Sequence, residues 1–253
     1  MKLILSVLLF VLSSGYAFAG QWSVTTISSV SYLFHMNDNN GTSIFNSRGT
    51  VNGVMVNSPI WVNGKYGYAL SFNAGSPNAY ITPTTQKVDL PFGNVSSTFL
   101  VLATFPIPNG IPSKQMFLHG NKAASLAARD YYVSSEGGRV ATAYGSGDVN
   151  VYEMRVPTNV WVGIGFRYDG VRNVDTAFLV YGSTVQYFSR SVGPINTVFA
   201  SDNTAIGGNS RDGGDCRCTI DEAMIVNRAM SDGEVISLLK NAVNAKHVFQ
   251  SGN

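Results

Sequence analysis

Short runs of alternating or apolar residues, separated by turn residues, recur along almost the whole chain. Ser31–Met36, for example, precedes an Asn- and Gly-rich turn at 37–41, and Ser97–Phe105 precedes two prolines. Alternation with a period of two predicts β-strands, and Gly, Asn, Asp and Pro between the runs predict tight turns. About a dozen such strands, without helical patterns between them, favour a two-sheet sandwich over a parallel α/β fold.

The remaining strand predictions follow the same rule, and one helix is predicted near the end. The sequence Ser231-Asp232-Gly233-Glu234 forms a capping box, and an apolar face then continues to about Lys240. A hairpin is predicted around Gly182-Ser183. The strand predictions are Ala69–Phe72, Asn78–Thr82, Gln115–His119, Tyr131–Ser134, Arg139–Tyr144, Val149–Val156, Trp161–Tyr168, Phe178–Tyr181, Thr184–Ser189 and Thr219–Val226.

The N-terminus has the pattern of a secretory signal peptide. Lys2 precedes an apolar run of ten residues, Leu3–Leu12, and Ala17-Phe18-Ala19 supplies the small residues of a cleavage site. Cleavage after Ala19 predicts a secreted protein, extracellular or at the periplasm or cell surface. The alternative is an uncleaved anchor, although a span needs roughly 20 apolar residues. The predicted organisation is a signal peptide at 1–19, an N-terminal arm at 20–30, one domain at 31–240 and a tail at 241–253.

The composition limits the classes of partner. Charged residues make up 13% of the chain, whereas ordinary domains have about 25%. The polar surface is therefore built from Asn, Ser, Thr and Gly, which suits neutral, hydroxyl-rich ligands or a protein embedded in an assembly. A net charge of +2 gives no strong field for nucleic acid or an anionic membrane.

The only two cysteines are Cys216 and Cys218. On a flat strand their Cα atoms would lie about 6.5–7 Å apart, at the long limit of disulfide geometry. A local disulfide across a bend, two free thiols and cross-links to another chain all remain open, and we slightly favour the local disulfide. Zinc is disfavoured because two sulfurs without a nearby His fall short of four ligands.

Three segments together resemble the laminin-G-like jelly roll of the concanavalin-A-like lectin and glucanase superfamily. They are Tyr32–Met36 with the turn Asn46-Ser47-Arg48-Gly49, the Gly-Lys-aromatic-Gly-x-Ala-Leu-x-Phe motif within Trp61–Asn73, and the closing Ile-Asp-Glu strand with its capped helix at Thr219–Glu234. The resemblance spans about residues 31–239. It implies an all-β, antiparallel two-sheet jelly-roll sandwich with one short C-terminal helix, and a role in carbohydrate binding or cell adhesion.

The resemblance also implies a candidate calcium site. Some relatives bind one Ca²⁺ through the Asp of the closing strand and oxygens of the opening loop, which correspond here to Asp221, Asp38 and Asn40. Calcium takes six to eight oxygen ligands. Asn46 stands where the family has an acid, which removes one charge. The alternative is that Asp221 accepts hydrogen bonds from backbone amides near the start of the helix.

No catalytic residues are predicted. The Glu-x-Asp-x-Glu strand of the related glucanases is absent, and a glycosidase needs two carboxylates about 5–10 Å apart. Glu153 has no acid two or four residues away, and Glu234 is assigned to the helix cap. Glu222 should face the opposite side of its strand from Asp221. None of the histidines, His35, His119 and His247, lies in a nucleophile motif.

Sugar binding would use exposed aromatic rings near loops with amide and carboxylate side chains, while ordinary packing is the alternative role for each ring. The predicted function is a secreted, non-catalytic carbohydrate-binding or adhesion module that contacts a glycan or a cell-surface or virion component. The alternatives are a structural subunit of a virion or cell-surface assembly and a divergent glycoside hydrolase or polysaccharide lyase. The candidate ligand-binding residues are Tyr131, Tyr132, Tyr144, Tyr152, Asn209, Arg211 and Asp212.

Overall fold

The computed structural model describes most of the chain from Trp22 to Ala245. The predicted signal peptide at 1–19 lies outside it. Within the described part, no helix is long and apolar enough to cross a membrane. The described residues are 22, 27–48, 51–72, 79–84, 90–106, 114–120, 128–134, 137–144, 148–198, 204–208 and 216–245.

Sixteen strands and one helix form in these residues. They are, in chain order, β1 (Val30–Phe34), β2 (Ser43–Ile44), β3 (Gly53–Val56), β4 (Ile60–Asn63), β5 (Tyr68–Ser71), β6 (Tyr80–Pro83), β7 (Ser97–Thr104), β8 (Lys114–Gly120), β9 (Ala128–Val133), β10 (Arg139–Tyr144), β11 (Asp148–Arg155), β12 (Trp161–Asp169), β13 (Val174–Tyr181), β14 (Thr184–Ser191), β15 (Thr204–Ile206), β16 (Thr219–Val226) and α1 (Asp232–Asn244).

The strands form two antiparallel eight-stranded sheets. The first sheet has the order β14-β13-β12-β7-β16-β5-β4, with β1 also paired to β16. The second sheet has the order β11-β10-β9-β8-β15-β6-β3-β2. The prediction of an all-β, antiparallel two-sheet sandwich with one C-terminal helix is confirmed.

Alternation along the central strands divides their side chains between two cores. On β7, Phe99 and Val101 belong to the core between the sheets, whereas Leu100 and Leu102 belong to the core beneath the helix. All four side chains are fully buried. Burial of a side chain of this size stabilises the fold by about 1.5–3 kcal/mol, so these strands hold the sandwich together.

The helix begins with the predicted capping box and lies on the outer face of the first sheet. The Ser231 side chain accepts from the Glu234 amide, and the Glu234 side chain accepts from the Ser231 amide. Gly163 and Gly165 leave room for Leu239 and Val235 of the helix. The helix continues to Asn244, beyond the predicted end at Lys240, because Ala242 and Val243 are still buried against the sheet core.

The two glycines of the Gly-Lys-aromatic-Gly motif serve different purposes. The sequence predicts a tight turn here, with positive φ at Gly64 and Gly67. Gly67 has a positive φ of 79°, but Gly64 does not, so the prediction is wrong for Gly64. A Cβ at position 64 would lie 2.5 Å from Oδ2 of Asp221, and Gly64 is therefore needed for the close approach of that carboxylate.

The structure joins Cys216 and Cys218 in a disulfide, with their Cα atoms 5.0 Å apart. Arg217 between them has a φ of 43°, and this bend brings the Cα atoms closer than a flat strand would. Both cysteines are fully buried in the core between the sheets. The Cys216 amide donates to Gly207 and the Cys218 carbonyl accepts from Phe72, so the bridged segment links the two sheets.

His119 should make stability fall in acid. Its ring is fully buried, with Nδ1 3.0 Å from Thr204 Oγ1 and Nε2 3.1 Å from the Pro91 carbonyl. Burial, aided by Arg129, lowers the pKa of His119 to about 3. The unfolded chain takes up a proton near pH 6.5, so this contribution is complete above that pH and is lost between about pH 6.5 and 3.

Between pH 7 and pH 5 this group alone should lower the free energy of unfolding by about 2 kcal/mol. Denaturant titrations of the wild type and of His119→Gln at both pH values measure the difference. The variant should lack this part of the pH dependence. Identical pH dependence in the two proteins would contradict the assignment.

The glycine at position 163 should be needed for helix docking. A Cβ there would lie 3.0 Å from both Cβ and Cδ2 of Leu239, so Gly163→Val forces the helix away from the sheet. The expected loss is about 1–3 kcal/mol of stability. Gly233→Ala is the control, because a Cβ at that helical position meets nothing within 4 Å and should stabilise slightly. Equal melting temperatures for the two variants would refute the packing role.

Candidate functional site

The opening-loop edge is the part of the described surface where exposed aromatic residues meet amide and carboxylate side chains. We define it as residues 35–45 with Trp61 and Tyr68. It contains β2, the outermost strand of the second sheet, and it includes Trp61 of β4, the outermost strand of the first sheet. Met36, Asn39 and Gly41 all have positive φ, so this loop turns sharply within a few residues.

The base of the loop is closed by Asn46, which is fully buried. Its Oδ1 accepts from the amides of Leu33 and Arg48, each at 3.0 Å. The Asn46 amide in turn donates to Oδ1 of Asn52 at 3.2 Å. The side-chain oxygen of Asn46 therefore connects the loop to β1. The neutral side-chain amide accepts both of these hydrogen bonds, as a carboxylate would.

Three aromatic residues surround the loop, and each makes a hydrogen bond to it. The Trp61 indole donates to the Gly41 carbonyl at 3.3 Å. The Tyr68 amide donates to Asn37 Oδ1 at 3.1 Å, and the Phe45 amide donates to Asp38 Oδ2 at 3.0 Å. The residue Phe45 is 57% exposed and Tyr68 is 38% exposed, while Trp61 is partly buried against the core.

The pairing of β4 with β5 places Trp61 and Tyr68 on one face. Trp61 is opposite Leu70, and Asn63 is opposite Tyr68. Residues that are opposite, or two apart on one strand, share a face of the sheet, so the two aromatic residues are diagonal neighbours. Such neighbours lie about 7–8 Å apart. Leu70 in the core marks this face as the one directed toward the second sheet.

Two buried carboxylates bond the segments at the base of the loop, one at the β4–β5 turn and one at His35. Asp221 Oδ2 accepts from the amides of Lys65 and Tyr66, the latter at 2.8 Å. The two oxygens of Glu222 lie 2.9 and 3.0 Å from Nδ1 of His35, whose side chain is 23% exposed. Both acidic residues are fully buried. Asp221 thus does bond backbone amides, but on the β4–β5 turn rather than near the helix.

A β-bulge interrupts the alternation on which the predicted orientation of these acids depended. Against β7, Ile220 is opposite Ala103 and Glu222 is opposite Leu102, so Asp221 is the extra residue of the bulge. Burial raises the pKa of Asp221 well above its usual range, and the Glu222 carboxylate adds to the rise. The bulge directs Asp221 to the β4–β5 turn.

The four tyrosines predicted as exposed sugar platforms are buried, so the expectation of exposed rings is wrong for them. Tyr131 is fully buried and stacks on Phe166 at a centroid distance of 4.4 Å. Tyr132 is 8% exposed, Tyr144 2% and Tyr152 6%. Strand alternation indicated which residues share a face, but not that both faces of β9 and β10 are covered.

Tyr144 and Tyr152 instead join the sheets through a buried acid. Both hydroxyls donate to Oδ2 of Asp175, on β13 of the first sheet. Burial raises the pKa of Asp175, although these hydrogen bonds oppose the rise. Sequence reasoning also missed Arg129, which is fully buried, donates to Ser97 Oγ at 2.6 Å and lies 4.2 Å from the ring centroid of Tyr168. Arg129 stands beside Asp130 just before the predicted strand Tyr131–Ser134, and this local sequence does not indicate that the arginine is buried.

The predicted calcium ligands are not brought together as one group. Asp38 is bonded to the Phe45 amide and Asp221 to the β4–β5 turn, and Asn40 is exposed in the loop between them. No three His, Cys, Asp or Glu side chains of the described residues are grouped so that they could hold a metal. Asn209, Arg211 and Asp212 lie outside the described part of the chain.

The described glutamates are each engaged elsewhere. Glu153 is 71% exposed in its side chain and pairs with Arg139 at 3.2 Å. Glu234 forms the predicted cap and pairs with Arg228 at 2.6 Å. A pocket of about 470 Å³ opens near this end of the helix, but its charged side chains pair with one another, Arg167 with Asp232 and Arg172 with Asp169.

Asp221 should stabilise the site through its two backbone contacts rather than through its charge. Asp221→Ala leaves two buried amides without an acceptor and should cost about 2–4 kcal/mol of stability. Asp221→Asn keeps an acceptor oxygen and removes a buried carboxylate, so it should cost less than half as much. Denaturant unfolding of both variants compares them. Equal losses would show that the charge, not the acceptor, matters.

The comparisons with known proteins bear on the fold. No protein-family model matches the chain, and no curated protein does. Among solved structures, domain 4 of the extracellular GH43 arabinanase AbnA from Geobacillus stearothermophilus, in complex with arabinotriose, superimposes with a TM-score of 0.62 at 18% identity. The match covers 83% of this chain and 98% of that domain.

A second similar structure is the sialidase of Trypanosoma rangeli in complex with sialic acid. Its TM-score is 0.58 at 13% identity, with 85% of this chain and 33% of the sialidase covered. The chain thus spans about a third of the sialidase, but nearly the whole of the arabinanase domain. At these identities the likeness establishes a shared β-sandwich fold.

Proposed function

We propose that this chain is a secreted, non-catalytic carbohydrate-binding module that holds a glycan at the opening-loop edge. The observation that carries the proposal is the set of aromatic residues Phe45, Tyr68 and Trp61 around an amide-rich loop. Aromatic faces offer apolar area to the CH groups of a sugar ring. The neighbouring Asn and Asp side chains offer donors and acceptors to its hydroxyls.

The chemistry of the edge favours neutral sugars. The loop 37–42 carries three asparagines and one aspartate but no lysine or arginine. A carboxylate-bearing sugar would meet Asp38 without a cationic partner in that loop. The overall charge content of 13% is in keeping with a ligand recognised through hydroxyls rather than through ionic groups.

Two further observations support a binding role without catalysis. The arabinanase domain that this chain matches almost end to end was solved with a bound arabinotriose. In the described part of this chain, the glutamates are used in pairing or capping rather than in an open acid pair. We further propose that the chain is a laminin-G-like domain and that it is secreted with removal of the predicted signal peptide.

Binding to a glycan array, with arabinotriose and sialic acid as added probes, tests the function. Phe45→Ala and Tyr68→Ala should each weaken binding at least about tenfold, equivalent to about 1.4 kcal/mol. Both side chains are exposed enough that folding should survive, which a thermal melt checks. Val171→Ala is the control, because Val171 is 89% exposed in the β12–β13 turn, outside the site.

An array without any ligand at high density would count heavily against the proposal. Binding that is unaffected by both aromatic substitutions would place the ligand elsewhere. Hydrolysis of a polysaccharide that disappears in Glu153→Gln would contradict the non-catalytic role.

Calcium binding is the second part of the proposal, since the structure leaves Oδ1 of Asp221 without a hydrogen-bond partner. The described side chains do not make a complete ligand set, so loop carbonyls or residues outside the described part would have to contribute. Calorimetric titration with Ca²⁺ tests the idea, with Asp221→Ala as the control. Binding should release or absorb heat in the wild type alone. No heat and no melting shift would reject it.

A further inference from the structure

The outer edge of β14 differs from the edges at β1, β2, β4 and β11, which are the other outer strands of the described sheets. The five residues of β1 are all buried. β2 has two residues and β4 has four, so neither offers a long ladder. β11 has eight residues, but the exposed Glu153 and Arg155 place charges along it. Short length and charge are the means by which proteins protect exposed edges from pairing with another chain.

β14 has neither protection. Its sequence TVQYFSRS contains no proline and one charged residue, Arg190. The ladder to β13 runs through eight consecutive pairs without a bulge, so the strand is regular along its whole length. The Arg190 guanidinium is already bonded to Asn150 Oδ1 of the same molecule. In the described part of the chain, no strand pairs with the outer edge of β14.

Two large aromatic side chains are exposed in the middle of this edge. Tyr187 is 48% exposed and Phe188 is 50% exposed. Tyr187 stacks on Phe178 in the core under the helix, whereas Phe188 is opposite Ala177 of the core between the sheets. The two neighbouring rings therefore stand on opposite faces of the sheet. Each one exposes apolar surface on the outermost strand.

We propose that β14 pairs with β14 of a second copy of this chain, so that the two first sheets continue into one another. Most soluble homodimers have two-fold symmetry, and a strand paired antiparallel with its own copy satisfies that symmetry. Directly opposite residues in an antiparallel pair share a face, so a two-fold axis perpendicular to the sheet places one residue opposite its own copy.

The two exposed rings suggest two positions for the axis, one at Tyr187 and one at Phe188. With Tyr187 at the axis, Phe188 is opposite Gln186 and Arg190 is opposite Thr184 of the second copy. With Phe188 at the axis, Tyr187 is opposite Ser189 and Arg190 is opposite Gln186. In both registers the exposed rings come together at the centre and no two arginines meet. Pairing with a second copy therefore brings apolar rings together without placing like charges opposite each other.

Light scattering and sedimentation of the secreted protein over a wide concentration range test the pairing. The wild type should show a monomer–dimer equilibrium. Whichever of Tyr187→Lys and Phe188→Lys lies on the axis brings two like charges directly opposite each other, and the other replaces an apolar ring beside the axis with a charge. Both should weaken dimerisation, the variant on the axis at least about tenfold. Val171→Lys, at an exposed apolar position outside the strand, should leave the dimer unchanged. A thermal melt checks that each variant is folded.

Single cysteines distinguish the registers and keep the test independent of the lysine variants. Opposite residues have Cα atoms about 4.5–5.5 Å apart, which a disulfide can span. Tyr187→Cys or Phe188→Cys should therefore form a covalent dimer on oxidation, whereas Val171→Cys should not. The native cysteines are already paired with each other.

A wild type that is monomeric at every concentration would overturn the proposal. So would a dimer whose affinity neither lysine variant changes, because its interface would then be another surface. A monomer in which Tyr187→Lys abolishes glycan binding would identify β14 as a ligand surface instead. These outcomes do not depend on the opening-loop edge, whose glycan binding is measured separately.

Discussion

The fold depends on one strand, β16, which holds different partners on its two sides. It pairs with β7 along its whole length, while its other side pairs first with β5 at Thr219–Ile220 and then with β1 at Ala223–Val226. The change of partner falls between Ile220 and Ala223, next to the bulge in the ladder to β7. Asp221 and Glu222 lie there, and their carboxylates bond the β4–β5 turn and His35. Glu222 therefore bonds the opening-loop edge directly, and Asp221 bonds the β4–β5 turn that precedes Tyr68.

Local patterns predicted those elements whose signal is contained in a few neighbouring residues. Thr219–Val226 was predicted with its observed ends, and the capping box and the hairpin at Gly182-Ser183 form as their residue types require. The short strands β2, β3, β4 and β15 were not predicted, because so few residues give no clear period. They exist because longer neighbours supply their hydrogen bonds.

The candidate site was predicted only in part, because sequence spacing cannot tell which faces are covered. Tyr144 and Tyr152 stand near loops in the sequence, yet they point at a buried aspartate from another sheet. The exposed ring of Phe45 was missed because a single aromatic after a two-residue strand carries no pattern. Asp38 lies in the opening-loop edge, whereas Asp221 bonds the β4–β5 turn, so the two acids accept separate backbone amides. The bulge that reorients Asp221 depends on pairing with β7, which no local signal encodes.

Glycan binding at the opening-loop edge is tested most directly by titrating the protein with an oligosaccharide, arabinotriose first. The indole N–H signals of the three tryptophans are recorded during the titration. Trp61 donates from the surface to the Gly41 carbonyl, whereas Trp22 is buried and donates to the Leu238 carbonyl under the helix. A glycan held at the opening-loop edge should shift the Trp61 signal and leave that of Trp22 in place. A glycan that binds while the Trp61 signal stays unchanged would contradict binding at the opening-loop edge.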